Sequence, residues 1–205
     1  MDNLLIGCST FTDATIFVSN WMKEHFSDRW KSDNNFVVLN GVNKEHFRPL
    51  NPVEKIRNLK INIVTHHWSN NQMKGFDIYE KLDDIVGDEF TFTYIGRDRG
   101  TFNKSKTIGP FFGKELGDNL GRYDVYVSAS RFDPGPNHII EAIASGLPTY
   151  VHRNGGGAVE FAGMASVYNN FDDLLKKIRE SDAPYQTWNQ TWENCAKEIF
   201  EVLDA

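Results

Sequence analysis

The sequence predicts a doubly wound α/β fold built on a parallel sheet. From about residue 60 onward, short β-branched and aromatic runs alternate with helical or loop segments. This alternation is typical of parallel strands joined by crossovers. The 205 residues are 40% hydrophobic and 24% charged, which is the composition of an ordinary globular protein with one substantial core.

Six runs have the composition of buried strands. They are residues 61–65, 91–95, 106–108, 125–128, 149–152 and 166–168. Apolar residues at helical spacing predict helices at 74–86 and 137–145, and Gly146 and Pro148 end the second of these. The same spacing predicts two closing helices at 171–179 and 187–203. Trp188 and Trp192 are then four positions apart on one helix, where we expect them to pack.

Residues 1–50 have a different pattern, which predicts one βαβ-like unit. Its strands are expected at residues 16–18 and 36–39, and Ser19 or Asn20 opens a helix that runs through His25. Asn51-Pro52 indicates a break after the unit. The predicted organisation is therefore a unit at 1–50 followed by a domain at 51–205.

Composition excludes several classes of function. The net charge is −6 and Lys and Arg form no cluster, which argues against a nucleic-acid partner. Cys8 and Cys195 lie far apart, so neither a disulfide framework nor a zinc site is indicated. The apolar stretch at residues 4–6 is too short for a leader or a membrane span. We expect a soluble, cytoplasmic protein.

The segment at residues 130–148 carries the clearest chemical signal. It runs from a buried strand through a Pro/Gly turn into a helix whose first position could be Pro136. Such a turn directs unpaired backbone N–H groups and the helix dipole to the carboxyl edge of the sheet, where open α/β folds bind ligands. A pyrophosphate fits there, and Asp133 and Glu141 can accept hydrogen bonds from sugar or ribose hydroxyls.

A second segment, residues 68–76, follows the first strand of the sheet and opens the next helix. It places the ammonium group of Lys74 beside a helix N-terminus. A compact positive charge at this position suits a diphosphate.

The first of these segments resembles a motif of glycosyltransferase family 4. Asp133-x7-Glu141, followed by Ala-x-Ala-x-Gly-Leu-Pro, is similar to the family's E-x7-E segment, E-G-F-G-x-x-x-x-E-A-x-A-x-G-x-P. The resemblance implies that Asp133 contacts the transferred sugar and Glu141 the nucleotide ribose. It also implies that the backbone of four residues faces the phosphates: Gly135, Pro136, Asn137 and His138. Asp replaces Glu at the first position and Gly-Pro replaces Phe-Gly, which can alter the sugar accepted or weaken catalysis.

The second segment resembles the family's phosphate-binding loop, G-R-L-x-x-x-K-G. Lys74 takes the role of the lysine, and Ser69 stands in the place of the arginine. One cation is therefore missing. Either His67, Arg97 or Arg99 substitutes for it, or the donor is held less tightly.

Further matches extend the resemblance over most of the chain. Val18-Ser19-x-x-Met22 is similar to a V-S-x-x-M run, and residues 39–49 are similar to the hallmark N-G-V-D-x3-F-x-P. Gly109 and Phe111 correspond to strand ends beside the nucleotide base. Gly155-Gly156-Gly157-x2-Glu160 is similar to a G-G-x-x-E loop.

The resemblance implies the C-terminal half of a GT-B fold, a Rossmann-like domain that binds a nucleoside diphosphate sugar. The implied reaction transfers the sugar to a hydroxyl acceptor with retention, and it needs no metal and no cofactor. The acceptor-binding N-terminal domain would be supplied in cis or in trans, and residues 1–50 would be its last unit. The chain is then an expressed fragment, a separately encoded half or a truncated gene product.

Two alternatives have discriminating features. The chain could be a module that binds a nucleotide sugar without transferring it, which an assay of turnover by the chain alone would reveal. A dinucleotide-dependent oxidoreductase would require G-x-G-x-x-G after an early strand, whereas the glycine run at 155–157 follows a late one. Four histidines end strands or lie in the 130–148 loop without metal-ligand spacing, and His138 is expected to donate to sugar or phosphate.

Overall fold

The computed structural model describes residues 2–51, 59–181 and 186–204. The strands are β1 Thr15–Phe17, β2 Asn35–Val37, β3 Ile61–His67, β4 Phe90–Gly96, β5 Lys106–Ile108, β6 Val125–Ser128, β7 Thr149–His152 and β8 Val167–Tyr168. The α-helices are α1 Asp2–Cys8, α2 Asn20–Phe26, α3 Phe76–Asp84, α4 Gly113–Leu120, α5 Asn137–Ala144, α6 Gly157–Ala162, α7 Phe171–Glu180 and α8 Trp192–Leu203.

The main sheet has six strands in the order β5-β4-β3-β6-β7-β8, and every neighbouring pair is parallel. The chain builds outward from β3 to β5 and then returns to place β6 on the other side of β3. In open α/β sheets the ligand crevice lies at this reversal, outside the carboxyl ends of the strands. The predicted doubly wound fold is confirmed.

Both faces of this sheet are covered by helices. Leu120, Ile139 and Phe161 belong to a core cluster that brings α4, α5 and α6 onto one face. Tyr79 and Leu174 belong to a second cluster, with α3 and α7 on the other face. Double coverage explains why all four residues of β6 and of β7 are buried, since successive residues of a strand point to opposite faces.

The closing helix differs from its prediction. It begins at Trp192, with Thr191 as its N-cap, instead of at residue 187. Trp188 lies outside the helix, packs on Phe161 with ring centroids 4.9 Å apart and donates from Nε1 to the carbonyl oxygen of Asn40 at 3.2 Å. Trp192 is 46% exposed. The expectation that both tryptophans pack from one helix is wrong, because Trp188 precedes the helix and its indole is hydrogen-bonded to the loop of Asn40.

Two helix starts also differ. Pro136 is the N-cap of α5, with φ −74° and ψ 97°, and not its first residue. The helix predicted at 74–86 begins at Phe76, because residues 72–74 form a 3₁₀ turn that ends at Gly75 with φ +88°. A side chain at Gly75 would collide with the backbone of Ala129. Glycine therefore lets the end of this turn approach the chain that follows β6.

Residues 2–51 contain the predicted βαβ unit, in which β1 and β2 pair in parallel around α2. Ser19 caps α2 by accepting a hydrogen bond from the amide of Met22 at 3.0 Å. The division into 1–50 and 51–205 stays a prediction, because residues 52–58, where the break was expected, lie outside the described residues. In the part of the chain that the structure describes, no helix is both long and apolar enough to cross a membrane.

Candidate functional site

A cleft of about 310 Å³ lies at the carboxyl ends of β3 and β6, where the strand order reverses. Its lining consists of His66, His67, Trp68, Ser69, Lys74, Asp133, Gly135, Pro136, Asn137, His138 and Glu141. The structure thus brings the two segments singled out in the sequence to one site, although about 60 residues separate them in the chain. Of the ten predicted site residues, the cleft contains all but Gly109 and Phe111.

Lys74 and Asp133 form an ion pair across the cleft, with Nζ 2.8 Å from Oδ2. The side chains are partly buried, at 25% and 14% exposure, so the pair is shielded from water more than a surface pair. The two loops that carry them are joined nearby, because the amide of Arg131 donates to the carbonyl of Met73 at 2.8 Å. The Arg131 guanidinium also holds both carboxylate oxygens of Asp77 on α3, at 2.8 and 2.6 Å.

The glycine run at 155–157 holds the loop of Asp133 through backbone hydrogen bonds. The amide of Asp133 donates to Gly155 at 3.2 Å, and its carbonyl accepts from Gly157 at 2.8 Å. A Cβ on Gly156, which has φ +70°, would come within 2.7 Å of the Asp133 oxygen. These glycines therefore act by allowing close backbone approach, and they open helix α6, which the sequence pattern did not predict.

Helix α5 begins at the cleft, with its first amides at Asn137 and His138. The first amides of a helix have no intrahelical acceptor, and the helix dipole is positive at this end. Asn40, on the loop after β2, donates from Nδ2 to the Gly135 carbonyl at 3.1 Å and to Asn137 Oδ1 at 2.8 Å. The turn before α5 is thus fixed by a residue from the N-terminal unit.

His67 and His138 are buried in the wall of the cleft. His67 Nε2 lies 2.7 Å from the Tyr79 hydroxyl, and His138 Nε2 lies 3.0 Å from Ser128 Oγ. Burial lowers the pKa of His67 well below its ordinary value of 6.5, and the charge of Lys74 lowers it further. Burial, then His67 and then Lys74 lower the pKa of His138 in the same way. Both shifts favour the neutral ring, which argues against His67 as the substitute for the missing cation.

The two arginines considered as substitutes also lie outside the cleft lining. The Arg97 guanidinium lies over the Trp68 ring, 5.6 Å from its centroid. Arg99 donates to the carbonyl of Asn70 at 3.3 Å and lies over Phe76. Among the described residues that line the cleft, Lys74 is the one with a full positive charge.

Glu141 lies one turn into α5, and its Oε2 is 2.8 Å from His66 Nε2. Ser69 lies at the cleft mouth, where its Oγ accepts from the Asn71 amide at 3.1 Å. Sequence reasoning noted His66 at a strand end but gave it no role, and it overlooked Trp68. A signal for both was available, since His66 lies near the end of β3 and Trp68 directly follows that strand, at the carboxyl edge of the sheet.

Comparisons with known proteins match this architecture. No family model matches the chain. A curated relative, the probable sucrose-phosphate synthase of Thermosipho melanesiensis, is 24% identical over 202 residues, which cover 84% of this chain and 48% of the relative. HepE of Anabaena, solved with UDP and glucose, superposes with a TM-score of 0.78 at 15% identity, covering 98% of this chain and 66% of HepE. Sucrose-phosphate synthase of Thermosynechococcus elongatus gives 0.74 at 16% identity, covering 94% and 58%.

The chain has the fold of a GT-B glycosyltransferase C-terminal domain. It spans about half the length of the curated relative that it matches, 48%. Membership of glycosyltransferase family 4 stays a prediction.

Gly109 and Phe111 lie beside the main cleft. A small adjoining cavity of about 10 Å³ is lined by Phe111 and Pro110 and shares His66, His67 and Trp68 with the cleft. Gly109 is next to it at the end of β5, where φ +80° brings the amide of Phe111 close. The Trp68 and Phe112 rings meet at the rim, with centroids 4.1 Å apart.

The N-terminal unit packs against the loop of Asp133. Ser19 Oγ donates to the Pro134 carbonyl at 2.5 Å. The Glu160 carboxylate on α6 accepts hydrogen bonds from the amides of Asn20 and Trp21, at 3.2 and 2.9 Å. Glu160 of the G-G-x-x-E match therefore binds the start of α2 and does not line the cleft.

The described residues contain no cluster of three or more His, Cys, Asp or Glu side chains arranged to hold a metal. Independence from metal and from any cofactor stays a prediction. The cleft supplies one ammonium group, the amides of a helix N-terminus, two carboxylates and neutral imidazoles, and these groups suit a diphosphate joined to hydroxylated rings.

Proposed function

We propose that this chain is the donor-binding part of a retaining glycosyltransferase that transfers a sugar from a nucleoside diphosphate sugar to a hydroxyl acceptor. The observation that carries the proposal is the meeting of Lys74 with the N-terminus of α5 at the strand-order reversal, between Asp133 and Glu141. HepE, which shares the fold, has been solved with UDP and glucose and with UDP-glucose.

The cleft divides naturally into three subsites. The diphosphate would lie on Lys74 and the amides of Asn137 and His138, with Gly135 and Pro136 shaping the turn beneath it. Asp133 would accept hydrogen bonds from the transferred sugar, near Ser69 and the His138 ring. Glu141 would accept from the ribose, and the base would lie on the side of Gly109 and Phe111.

Electrostatic stabilisation of the leaving group is the main catalytic task in this proposal. As the bond between the anomeric carbon and the diphosphate oxygen breaks, negative charge grows on the departing nucleoside diphosphate. The Lys74 ammonium and the α5 amides are preorganised to stabilise that charge. The acceptor hydroxyl oxygen forms the new bond on the same face of the sugar, and its proton leaves with the diphosphate. This assigns the work to fixed protein groups, so no metal is required.

The acceptor would be bound by a further N-terminal domain, in cis or in trans. The matched relative is about twice as long as the matched region, since 48% of it is covered. A groove of about 590 Å³ lies between the N-terminal unit and the end of α8, bordered by the exposed side chains of Phe11, Phe36 and Leu203. Exposed apolar surface of this kind is typical of an interaction site. Without that domain the chain would bind the donor and transfer nothing, which is the alternative function.

We also infer a cytoplasmic location, because the two cysteines are unpaired, with Cys8 exposed and Cys195 buried. A role in carbohydrate biosynthesis follows from the proposed reaction.

Calorimetric titration tests the donor site. We expect one of UDP, GDP, ADP and TDP to bind the purified chain, with the same affinity in EDTA as in buffer alone. Binding that collapses in EDTA and returns with magnesium or manganese would contradict the metal-independent mechanism. Binding of none of the four nucleotides would contradict the donor site itself.

A further inference from the structure

The His66 side chain is hydrogen-bonded to the Glu141 carboxylate. Its Nε2 is 2.8 Å from Glu141 Oε2, and an ionised carboxylate can only accept, so Nε2 carries the proton of this hydrogen bond. Within the described parts of the chain, His66 is the one hydrogen-bond partner found for the Glu141 carboxylate. The second carboxylate oxygen is therefore left for a ligand.

The ring of His66 is held firmly in place. His66 is 4% exposed, and the Tyr126 ring meets its ring edge to face with centroids 5.5 Å apart. The Tyr126 hydroxyl also accepts from the His66 amide at 3.2 Å, which ties the end of β3 to β6. A donor fixed in this way defines the orientation of the carboxylate that it binds.

The other ring nitrogen adds nothing to the fold. His66 Nδ1 is buried and has no hydrogen-bond partner among the described residues. Burying an unpaired polar atom costs stability relative to an apolar ring of the same shape. Phenylalanine would therefore stabilise the fold as well as histidine does. What histidine adds at this position is the hydrogen bond to Glu141.

We propose that His66 is a positioning residue that orients Glu141 toward the ribose and so makes the site selective for nucleotides with intact 2′ and 3′ hydroxyls. This role rests on the proposed donor site. By binding Oε2, His66 directs Oε1 to accept from the vicinal diol. Without the hydrogen bond from His66, the Glu141 carboxylate rotates freely and the site loses its preference for the ribose hydroxyls.

The test uses calorimetry to compare the ribonucleoside diphosphate that the chain binds with its 2′,3′-dideoxy analogue. For UDP, taken as the example here, the analogue is 2′,3′-dideoxyuridine 5′-diphosphate, and GDP or ADP is compared in the same way if it is the nucleotide that binds. We expect the wild-type chain to bind UDP at least tenfold more tightly. His66→Phe should bring the two affinities to within about threefold by weakening UDP and leaving the dideoxy nucleotide unchanged. His66→Gln, whose amide nitrogen reaches the place of Nε2, should keep most of the preference, whereas His66→Asn, whose nitrogen reaches only the place of Nδ1, should lose it.

His152→Phe is the matched control. His152 is similarly buried, at 7% exposure, and ends β7 outside the cleft lining. The His152→Phe substitution should lower the melting temperature while leaving the preference for UDP unchanged. A folded His66→Phe or His66→Asn chain that discriminates as well as wild type would overturn the role of His66 alone. Equal losses for both nucleotides would overturn it as well, since that is the mark of a general structural effect. A wild-type chain that binds none of the four nucleoside diphosphates would overturn the donor site, and with it this role.

Discussion

The six-stranded body and the N-terminal unit are both parallel α/β structures, yet they differ in how completely their strands are buried. In the body, β3 is buried along nearly its whole length between two layers of helices. In the N-terminal unit, the two strands have three residues each, and Phe36 on β2 is 36% exposed. Parallel strands normally have both faces covered. The body covers its own sheet with its own helices, whereas the N-terminal unit leaves part of its sheet exposed.

The difference separates two tasks. The body has a cleft whose charged groups face one another, with Lys74 between Asp133 and an open helix N-terminus. The N-terminal unit contributes support from outside, through Asn40 and Ser19, and leaves exposed apolar surface beyond them. The proposed function accordingly places donor binding in the body and the connection with an acceptor domain in the N-terminal unit.

The largest expected effect concerns transfer itself. The chain alone should bind its nucleotide and transfer sugar to generic acceptors no faster than background. The missing positioning of the acceptor is worth about 7 to 11 kcal/mol in a well-oriented site. Adding a candidate N-terminal half in trans should restore turnover in a radiolabelled-donor assay. Full turnover by the chain alone would break the division of tasks between the two regions.

Acid should destabilise the body. The folded-state pKa values of His67 and His138 lie well below 6.5, so the unfolded chain binds more protons than the folded chain below that pH. Their contribution to stability is complete above pH 6.5 and falls as the pH decreases, by up to about 1.4 kcal/mol per pH unit for each ring.

Urea unfolding at pH 7.5 and 5.5 measures this loss, and His138→Gln should reduce it. Equal unfolding free energies at the two pH values would show that these rings are not held neutral by burial.

The smallest effect concerns the contact between the regions. Glu160→Gln should weaken the hydrogen bonds to the first amides of α2 and cost about 0.5 to 2 kcal/mol, the range of a helix cap. Limited proteolysis should then cut the N-terminal unit faster, while nucleotide affinity changes less than about twofold. Glu180→Gln is the control, since its exposed pair with Lys176 contributes little. A large loss of nucleotide affinity in Glu160→Gln would mean that the unit shapes the cleft more than this comparison allows.

The sequence predicted the body better than its connections. The strands are rich in β-branched and aromatic residues, so all six were found, and a strand, turn and helix with Asp133 and Glu141 located the cleft. Helix α6 was missed because three glycines are typical of a loop, whereas here they allow close approach to the Asp133 loop. Helix α4 was missed for a related reason, since glycines at two of its positions weaken the helical pattern.

Other features of the site depend on distant contacts. The hydrogen bond between His66 and Glu141 joins residues 75 positions apart, and no local pattern encodes it. The neutrality of His67 depends on burial under Tyr79 and on the charge of Lys74, which only the folded chain provides. Local periodicity reports which face of an element is buried, but not which polar atoms meet across it.

Calorimetry on three cleft variants tests the central claim most directly. Lys74→Ala and Glu141→Ala should each weaken binding of the nucleoside diphosphate by about 1.5 to 3 kcal/mol, the value of a hydrogen bond to a charged group. Asp133→Asn should hold or raise the affinity, because it releases Lys74 from its 2.8 Å ion pair toward the phosphates. If Lys74→Ala and Glu141→Ala both leave the affinity unchanged, the nucleotide binds elsewhere and the cleft at the strand-order reversal is not the donor site.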